Sequence, residues 1–227
     1  MRQENIPEIK GILRRHFLEI PKVINKVSGI RIFGKIIKSL IFTTDVAIVR
    51  NINADAIIAV YPFTPQPIIT QAVITAADIP VFSGVGGGLT SSKNRVLNLA
   101  LHAEFQGAIG VVVNAPTTNN VITALTKKID IPVVVTVVSE KEDVQSKIDA
   151  GAIILNISAS NKTPFVIDQI RKKLPDVAVI ATGGPDEQTI MDTINAGANA
   201  ITWTPPTTAQ LFKSIMEKYR VELPNKN

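Results

Sequence analysis

The sequence contains no cysteine and only two histidines, His16 and His102, among its 227 residues. Without cysteine the chain cannot form disulfides, bind metal through thiolates or use a cysteine nucleophile. Two remote histidines cannot build a histidine metal cluster, and no Ser-His-Asp set can be assembled around them. We therefore expect no metal site.

Long apolar runs are also missing. The longest apolar stretches, such as 110–113 and 133–138, have strand length, whereas a membrane-spanning helix needs about 20 residues. The first five residues lack the basic and apolar regions of a signal peptide. These absences predict a cytoplasmic protein with no membrane partner.

Positive charge is present but scattered. The chain has 24 Lys and Arg against 19 Asp and Glu, a net charge of +5. The basic clusters at 127–128 and 171–173 fall near the ends of predicted helices, where cations complement the helix dipole. We favour that interpretation over a polyanion-binding patch, so nucleic acid is not expected as a partner.

Short β-branched apolar runs alternate with helical stretches from residue 41 onward, which indicates a parallel sheet covered on both faces. The predicted strands are 41–44, 56–61, 81–83, 108–114, 133–138, 152–157, 177–181 and 200–204. The predicted helices include 92–105, 119–128, 140–149, 164–174, 186–195 and 208–220.

The junctions before the strands repeat as well. Some strands follow Gly-Ala, as at 107–108, 151–152 and 197–198, and others follow proline, as at Pro80 and Pro132. The two kinds alternate with a period of about 45 residues, which favours a repeated βαβα unit. We predict an α/β fold with a single (β/α)8 TIM barrel over 41–227. An open doubly wound sheet is the alternative, but the first strand–helix turn of this chain carries no dinucleotide glycine fingerprint.

Residues 1–40 form a predicted helical extension that packs on the barrel. Within it, residues 6–20 predict an extra N-terminal amphipathic helix with Ile9, Leu13, Phe17 and Ile20 on one stripe. The helix would cover the N-terminal end of the barrel or pack against a partner subunit. A homodimer is therefore an open possibility.

The ends of the strands are where a barrel of this kind places its active site. The seventh strand runs into Thr182-Gly183-Gly184, which leaves backbone N–H groups for an anion, and the eighth ends near Thr204. These four residues predict a phosphate site. A tight turn that needs two glycines is the alternative.

A second glycine-rich stretch, residues 83–93, follows the third strand. Gly86 and Gly87, with Ser91 and Lys93, predict a mobile loop that closes over a ligand, with Lys93 as an electrostatic clamp or base. The alternative is a flexible connection in which Ser91 or Ser92 caps the next helix.

Asp45 and Asn114 are further candidates because each ends a strand. Asp45 is a candidate acid–base residue or the cap of a short helix, and Asn114 is a candidate oxyanion or hydroxyl ligand. We interpret Glu140 as part of a helix start and not as a catalyst. His102 and Glu104 point to different sides of one helix and form no pair.

The second half of the chain resembles the phosphate-binding (β/α)8-barrel superfamily, which includes inosine-monophosphate dehydrogenase, nitronate monooxygenase, N-acetylmannosamine-6-phosphate epimerase and keto-deoxy-phosphogluconate aldolases. The matching segments are Ile131-Pro132-Val133-Val134, Asp149-Ala150-Gly151-Ala152, Ile180-Ala181-Thr182-Gly183-Gly184 and Ala196-Gly197-Ala198-Asn199-Ala200. The resemblance implies a phosphate held after strands seven and eight.

Several positions depart from that superfamily pattern. Trp203-Thr204-Pro205-Pro206 stands where members place a glycine, and Ser158-Ala159-Ser160 replaces the Gly-Gly-His of the monooxygenase type. A flavin such as FMN is therefore not expected, and the cofactor stays open. The sixth strand also ends without the lysine of a Schiff-base aldolase.

These observations predict an enzyme that acts on a small phosphorylated metabolite at the barrel mouth. Asp45 and Lys93 would do acid–base or electrostatic work, and Asn114 would orient the substrate. Isomerase, lyase and hydrolase chemistry remain open. The alternative is a non-catalytic barrel that senses a ligand or serves as a scaffold.

Overall fold

The computed structural model describes residues 17–222, together with residues 7, 9, 11 and 12. A β-hairpin comes first, formed by β1 (Ile30–Ile32) and β2 (Lys35–Ile37). Eight parallel strands follow: β3 (Ser39–Phe42), β4 (Ala56–Ala59), β5 (Val81–Gly86), β6 (Gly110–Val113), β7 (Val133–Val137), β8 (Ile154–Ile157), β9 (Ala178–Thr182) and β10 (Ala200–Trp203).

These eight strands close into a barrel in chain order, because β10 pairs with β3. The helices are α1 (Val46–Val49), α2 (Pro67–Ala76), α3 (Lys93–Phe105), α4 (Asn119–Thr126), α5 (Val144–Asp149), α6 (Thr163–Lys173), α7 (Glu187–Asn195) and α8 (Thr208–Glu222). The predicted (β/α)8 barrel is confirmed.

Alternate residues of each strand face opposite sides, as a pleated strand requires. One set points outward and packs against the helices. The other set fills the barrel interior with Leu40, Ile58, Phe82, Val112 and their equivalents on the remaining strands. Every second position along β7 to β10 therefore continues the interior face toward the barrel mouth.

The β-hairpin closes the N-terminal end of the barrel. Ile32 and Ile37 are buried in the same cluster as the interior residue Leu40. Gly29 lies directly before β1, and Gly34 lies in the turn between β1 and β2. They adopt φ values of +87° and +82°, which an L side chain rarely tolerates. The sequence pattern did not predict this hairpin because each strand has only three residues.

The predicted helix over 6–20 is wrong for the part that the structure describes. The described residues 17–20 are extended: Leu18 forms a parallel bridge with Ile52, and the Ile20 N–H donates to the Asn53 side chain. Those backbone groups bond to the barrel and not to a preceding helical turn. Ile9 and Ile12 are almost fully exposed, and Leu13 lies outside the described residues.

Residues 17–27 pack in the outer layer of the barrel. A 3-10 helix, Lys22–Lys26, contacts α7, and Ile24 is completely buried in the cluster that contains Val49 and Ile201. This segment therefore lies between α7 and residues 51–53, which follow α1, near the place where the eighth helix of a (β/α)8 barrel would be expected to pack.

The C-terminal helix α8 is much less buried than the other long helices. Phe212, Ile215 and Tyr219 are 64%, 45% and 53% exposed. Leu211 is among the few α8 residues that touch the core. In the described chain, no helix is both long and apolar enough to cross a membrane.

Candidate functional site

The barrel mouth has a floor of uncharged polar side chains on four adjacent strands. Thr136, Asn156, Thr182 and Thr202 each lie two residues beyond an interior apolar residue of β7, β8, β9 and β10. They therefore form the uppermost layer of the interior, directly below the loops. We call these four residues the polar floor.

Two hydrogen bonds organise the polar floor. The Asn156 amide Nδ2 donates to Thr136 Oγ1 at 3.3 Å, and Thr182 Oγ1 donates to Ser158 Oγ at 3.3 Å. Asn156 Oδ1 and Thr202 Oγ1 are buried, yet neither has a hydrogen-bond partner in the described structure. Buried polar atoms almost always have a partner, so these two oxygens are free to hydrogen-bond with a group bound at the mouth.

The opposite half of the mouth lies at the ends of β4, β5 and β6. A small cavity there is lined by Val60, Tyr61, Gly84 and Asn114, together with neighbouring glycines. The Tyr61 hydroxyl is held in place because it accepts the Gln66 N–H at 2.7 Å. A ligand in the mouth would therefore meet the polar floor on one side and Tyr61, Asn114 and glycine backbone on the other.

The predicted phosphate residues have fewer free donors than the sequence suggested. The Gly183 N–H donates to the Thr202 carbonyl at 3.1 Å within the sheet. Gly184 adopts a φ of +86° and its N–H has no acceptor among the described residues. Thr204 is exposed beside it, at the rim. Gly184 and Thr204 therefore remain available to an anion, whereas Gly183 shapes the turn.

The neighbouring segments add few donors to this side of the rim. Pro205 and Pro206 have no N–H, and the Thr207 N–H already donates to Gln210 Oε1 at 2.8 Å. The α7 N-terminus is capped by Asp186, whose carboxylate accepts the Thr189 N–H at 2.8 Å. That backbone hydrogen bond lowers the pKa of Asp186, so the carboxylate places a negative charge where a phosphate would otherwise meet the helix.

Asp45 caps α1, the role that the sequence left as the alternative to catalysis. One carboxylate oxygen accepts the N–H groups of Ala47 and Ile48, and the other accepts the Thr208 hydroxyl. Partial burial raises the pKa of Asp45, but the hydrogen bonds from Thr208, Ala47 and Ile48 together outweigh it and lower the pKa below its usual value. Both oxygens are thus engaged in structure.

The glycine-rich stretch is partly strand and partly turn. Residues up to Gly86 belong to β5, and Gly86 has no room for a side chain because Val96 of α3 packs against it. Gly87 to Thr90 form a tight turn closed by two backbone hydrogen bonds. The predicted strand end at residue 83 is therefore corrected to Gly86, while closure of the following turn over a ligand stays a prediction.

Ser91, Lys93 and Asn114 occupy different places around this turn. Ser92, not Ser91, caps α3 by accepting the Arg95 N–H. The Lys93 ammonium donates to Asn120 Oδ1 at 2.9 Å on the exposed outside of the barrel. Asn114 lies at the mouth, where its backbone N–H bonds to the Gly86 carbonyl. The structure thus brings Asn114 to the mouth and leaves Lys93 outside it.

Other ionisable candidates have structural partners. The predicted helix start at Glu140 is wrong, because α5 begins at Val144 with Asp143 as its cap, and Glu140 pairs with Lys162. Glu104 accepts the backbone N–H groups of Asp130 and Ile131. The described residues contain no group of three or more His, Cys, Asp or Glu side chains suited to a metal ion.

The sequence analysis did not predict Asn156 and Thr202, although a signal was present. Each is a polar residue at an inward position of an otherwise apolar strand, as in Ile154-Leu155-Asn156-Ile157. Attention to the two-residue alternation within each strand would have identified them.

Comparisons with known proteins define the fold and no more. No protein-family model matches the chain, and no curated protein matches it. A provisionally assigned phosphonomutase from Burkholderia cenocepacia J2315 is similar, with a TM-score of 0.63 and 15% identity over 80% of this chain and 93% of that one.

Two further structures are similar at the same low identity. The aldolase QR15 has a TM-score of 0.55 and 15% identity over 79% of this chain and 86% of that one. A monomeric dihydrodipicolinate synthase variant has a TM-score of 0.56 and 18% identity over 80% of this chain and 77% of that one. The shared feature is the (β/α)8 barrel. It does not assign a reaction.

Proposed function

We propose that this protein is an enzyme that acts on a small phosphorylated metabolite bound at the barrel mouth. The observation that carries the proposal is the pair of orphaned buried oxygens, Asn156 Oδ1 and Thr202 Oγ1, at the end of the barrel where such folds place their ligands. Because a protein does not leave such atoms unpaired without cost, a bound substrate is the natural partner.

The polar floor suits an oxygen-rich substrate. Thr202 Oγ1 can donate to a carbonyl or accept from a hydroxyl, and Asn156 Oδ1 can accept from a hydroxyl. A buried neutral donor such as the Thr202 hydroxyl can stabilise an oxyanion that develops during isomerisation, aldol-type cleavage or hydrolysis. Gly184 and Thr204 would hold the phosphate at the rim, on the same side of the mouth.

The test begins with a thermal-shift screen of paired compounds, such as glycerol 3-phosphate with glycerol and ribose 5-phosphate with ribose. A ligand at about 100 times its dissociation constant adds roughly 2.7 kcal/mol of stability, which raises the melting temperature visibly. Stabilisation by the phosphorylated member alone supports the proposal, and a flat response across the panel contradicts it.

Thr202→Val then tests the polar floor with any ligand found. Valine keeps the side-chain volume and removes a hydroxyl that has no partner, so the unliganded protein should be at least as stable as the wild type. Ligand affinity should fall by about 5- to 10-fold.

Thr163→Val is the matched control. The Thr163 hydroxyl is equally buried but accepts the Ala159 N–H at 3.0 Å. This variant should lose stability by about 1 kcal/mol and keep its ligand affinity. Equal ligand affinity in Thr202→Val and the wild type would refute the role of the polar floor.

A non-catalytic ligand-sensing or scaffolding barrel is the second candidate. It is favoured by the engagement of Asp45 in capping α1 and of Lys93 outside the mouth, because these were the charged residues predicted to react. Ligand binding without turnover of any bound compound would support it. The homodimer that the sequence left open is untested, and the absence of a nucleic-acid partner stays a prediction.

A further inference from the structure

A second cavity lies outside the polar floor, between the β5–α3 connection and the start of α4. Its volume is about 90 Å³, and its nine lining residues carry no charge. They are Gly87, Gly88, Thr90, Ser91, Val96, Pro116, Thr117, Thr118 and Val121. A single water needs only about 10–15 Å³ of such space, so the cavity can hold a larger group.

Two buried hydroxyls in this cavity have no partner. Thr90 is 4% exposed and Thr117 is 8% exposed, and neither Oγ1 atom has a hydrogen bond in the part of the chain that the structure describes. Thr117 Oγ1 faces Gly87, at 2.7 Å from the position that a β-carbon would take there. Since a buried hydroxyl is costly when unpaired, both atoms are suited to hydrogen-bond with a group bound in the cavity.

The start of α4 provides further donors. Its first residue follows Thr118, whose side chain does not cap the helix. The N–H groups of Asn119 and Asn120 have no acceptor among the described residues. Such groups, together with the helix dipole, form an anion-binding position.

A positive charge lies at the edge of the same position. The Lys93 ammonium donates to the side chain of Asn120, in the first turn of α4, and so stays close to that helix start. No carboxylate lines the cavity. An anion would meet hydroxyl donors, backbone N–H groups and an ammonium group, with no like charge among the lining residues.

We propose that this cavity is a binding site for a phosphate group or a similar tetrahedral oxyanion. Thr90 and Thr117 donate their hydroxyls to it, and the α4 N-terminus and Lys93 balance its charge. The site lies beside β5 and β6, across the barrel from Gly184 and Thr204 on the β9 and β10 side. It does not rest on the reaction proposed above.

Inorganic phosphate is the probe that tests this site. Backbone amide NMR spectra of the full chain are recorded during a phosphate titration at constant ionic strength, with chloride replaced by phosphate. We expect saturable shifts at residues 87–91 and 117–120. Shifts confined to Gly184 and Thr204 would overturn the cavity site and support the phosphate position of the proposed enzyme. An absence of saturable binding would also overturn the cavity site, with an ordered water as its occupant.

Thr117→Val separates a ligand role from a structural one. Because its hydroxyl has no protein partner, the variant should melt no lower than the wild type, while its phosphate affinity should fall by about 10-fold or more. Thr90→Val provides an independent second variant with the same expectation. Thr163→Val should melt lower and bind phosphate normally. Unchanged phosphate affinity in both Thr117→Val and Thr90→Val would overturn the site.

Discussion

Both carboxylate oxygens of Asp45 accept hydrogen bonds within the fold, and this shows how a side chain suited to catalysis can serve a structural purpose. The residue links the start of α1 to the start of α8 through Thr208. Its sequence context, directly after a strand, is shared by catalytic carboxylates and helix caps. Only the positions of Ala47 and Thr208 distinguish the two roles.

Asp45→Ala should therefore lower the free energy of unfolding by about 1 kcal/mol at neutral pH, the usual effect of losing an N-cap. The folded-state pKa is lower than the unfolded one, so the carboxylate stabilises the protein at pH values above the unfolded pKa. This contribution is lost as the pH falls through the folded pKa.

Urea unfolding of the wild type and of Asp45→Ala at neutral and acidic pH measures the effect. The difference between the two proteins should shrink in acid. A difference that does not change with pH would show that the charge of Asp45 contributes nothing.

At the residue scale, a local pattern predicts local geometry, while the phosphate role assigned to the same residues stays a prediction. The Thr182-Gly183-Gly184 turn forms as the glycines indicate, with Gly184 at positive φ. The availability of each N–H could not be predicted, because the bond from Gly183 to the Thr202 carbonyl depends on the register between β9 and β10. The orphaned atoms likewise become visible only when neighbouring strands are in place.

At the level of elements, Gly86 allows α3 to pack closely against the end of β5. A β-carbon there would overlap Val96, which is 2% exposed. Gly86 was predicted to belong to a glycine-rich ligand loop, and the low strand propensity of glycine concealed the end of β5. The predicted strand stopped at residue 83, whereas β5 continues to Gly86.

Gly86→Ala should destabilise the protein by about 1–3 kcal/mol through overpacking. Val96→Ala removes the side chain that would be overlapped, so the double variant should be more stable than the sum of the two single effects predicts. Urea unfolding of the four proteins in a double-mutant cycle measures this coupling. Strictly additive effects would indicate that Gly86 is needed for something other than contact with α3.

The outer layer provides a second prediction for elements. Ile24 is fully buried beside α7, whereas Ile215 of α8 is 45% exposed. Ile24→Ala should therefore cost about 2–5 kcal/mol of stability, and Ile215→Ala less than about 0.5 kcal/mol. Chemical denaturation of both variants compares the two contributions.

A large loss of stability in Ile215→Ala would contradict the exposure of α8. The same denaturation over a range of protein concentrations would explain such a loss. If the stability depends on protein concentration, a second copy of the chain covers the helix.

At the level of the whole molecule, the eight-strand order was predictable because each strand and helix repeats the same local pattern. The closure of the barrel by β10 and β3 follows from that repetition. The N-terminal segment was not predictable in the same way. Its apolar spacing fits a helix, but Leu18 and Ile20 bond to residues more than 30 positions away, and such partners do not appear in a local pattern.

The hairpin that closes the N-terminal end of the barrel also limits the routes by which a ligand can reach the polar floor. Because side chains fill the barrel interior and Ile32 and Ile37 pack beneath them, the polar floor of the described structure is open only toward the mouth. A ligand on the polar floor must therefore depart by the route along which it arrived. For an enzyme built this way, product and substrate would use the same opening at the barrel mouth. Accumulated product would therefore compete with substrate, and turnover would depend on the rate of product release.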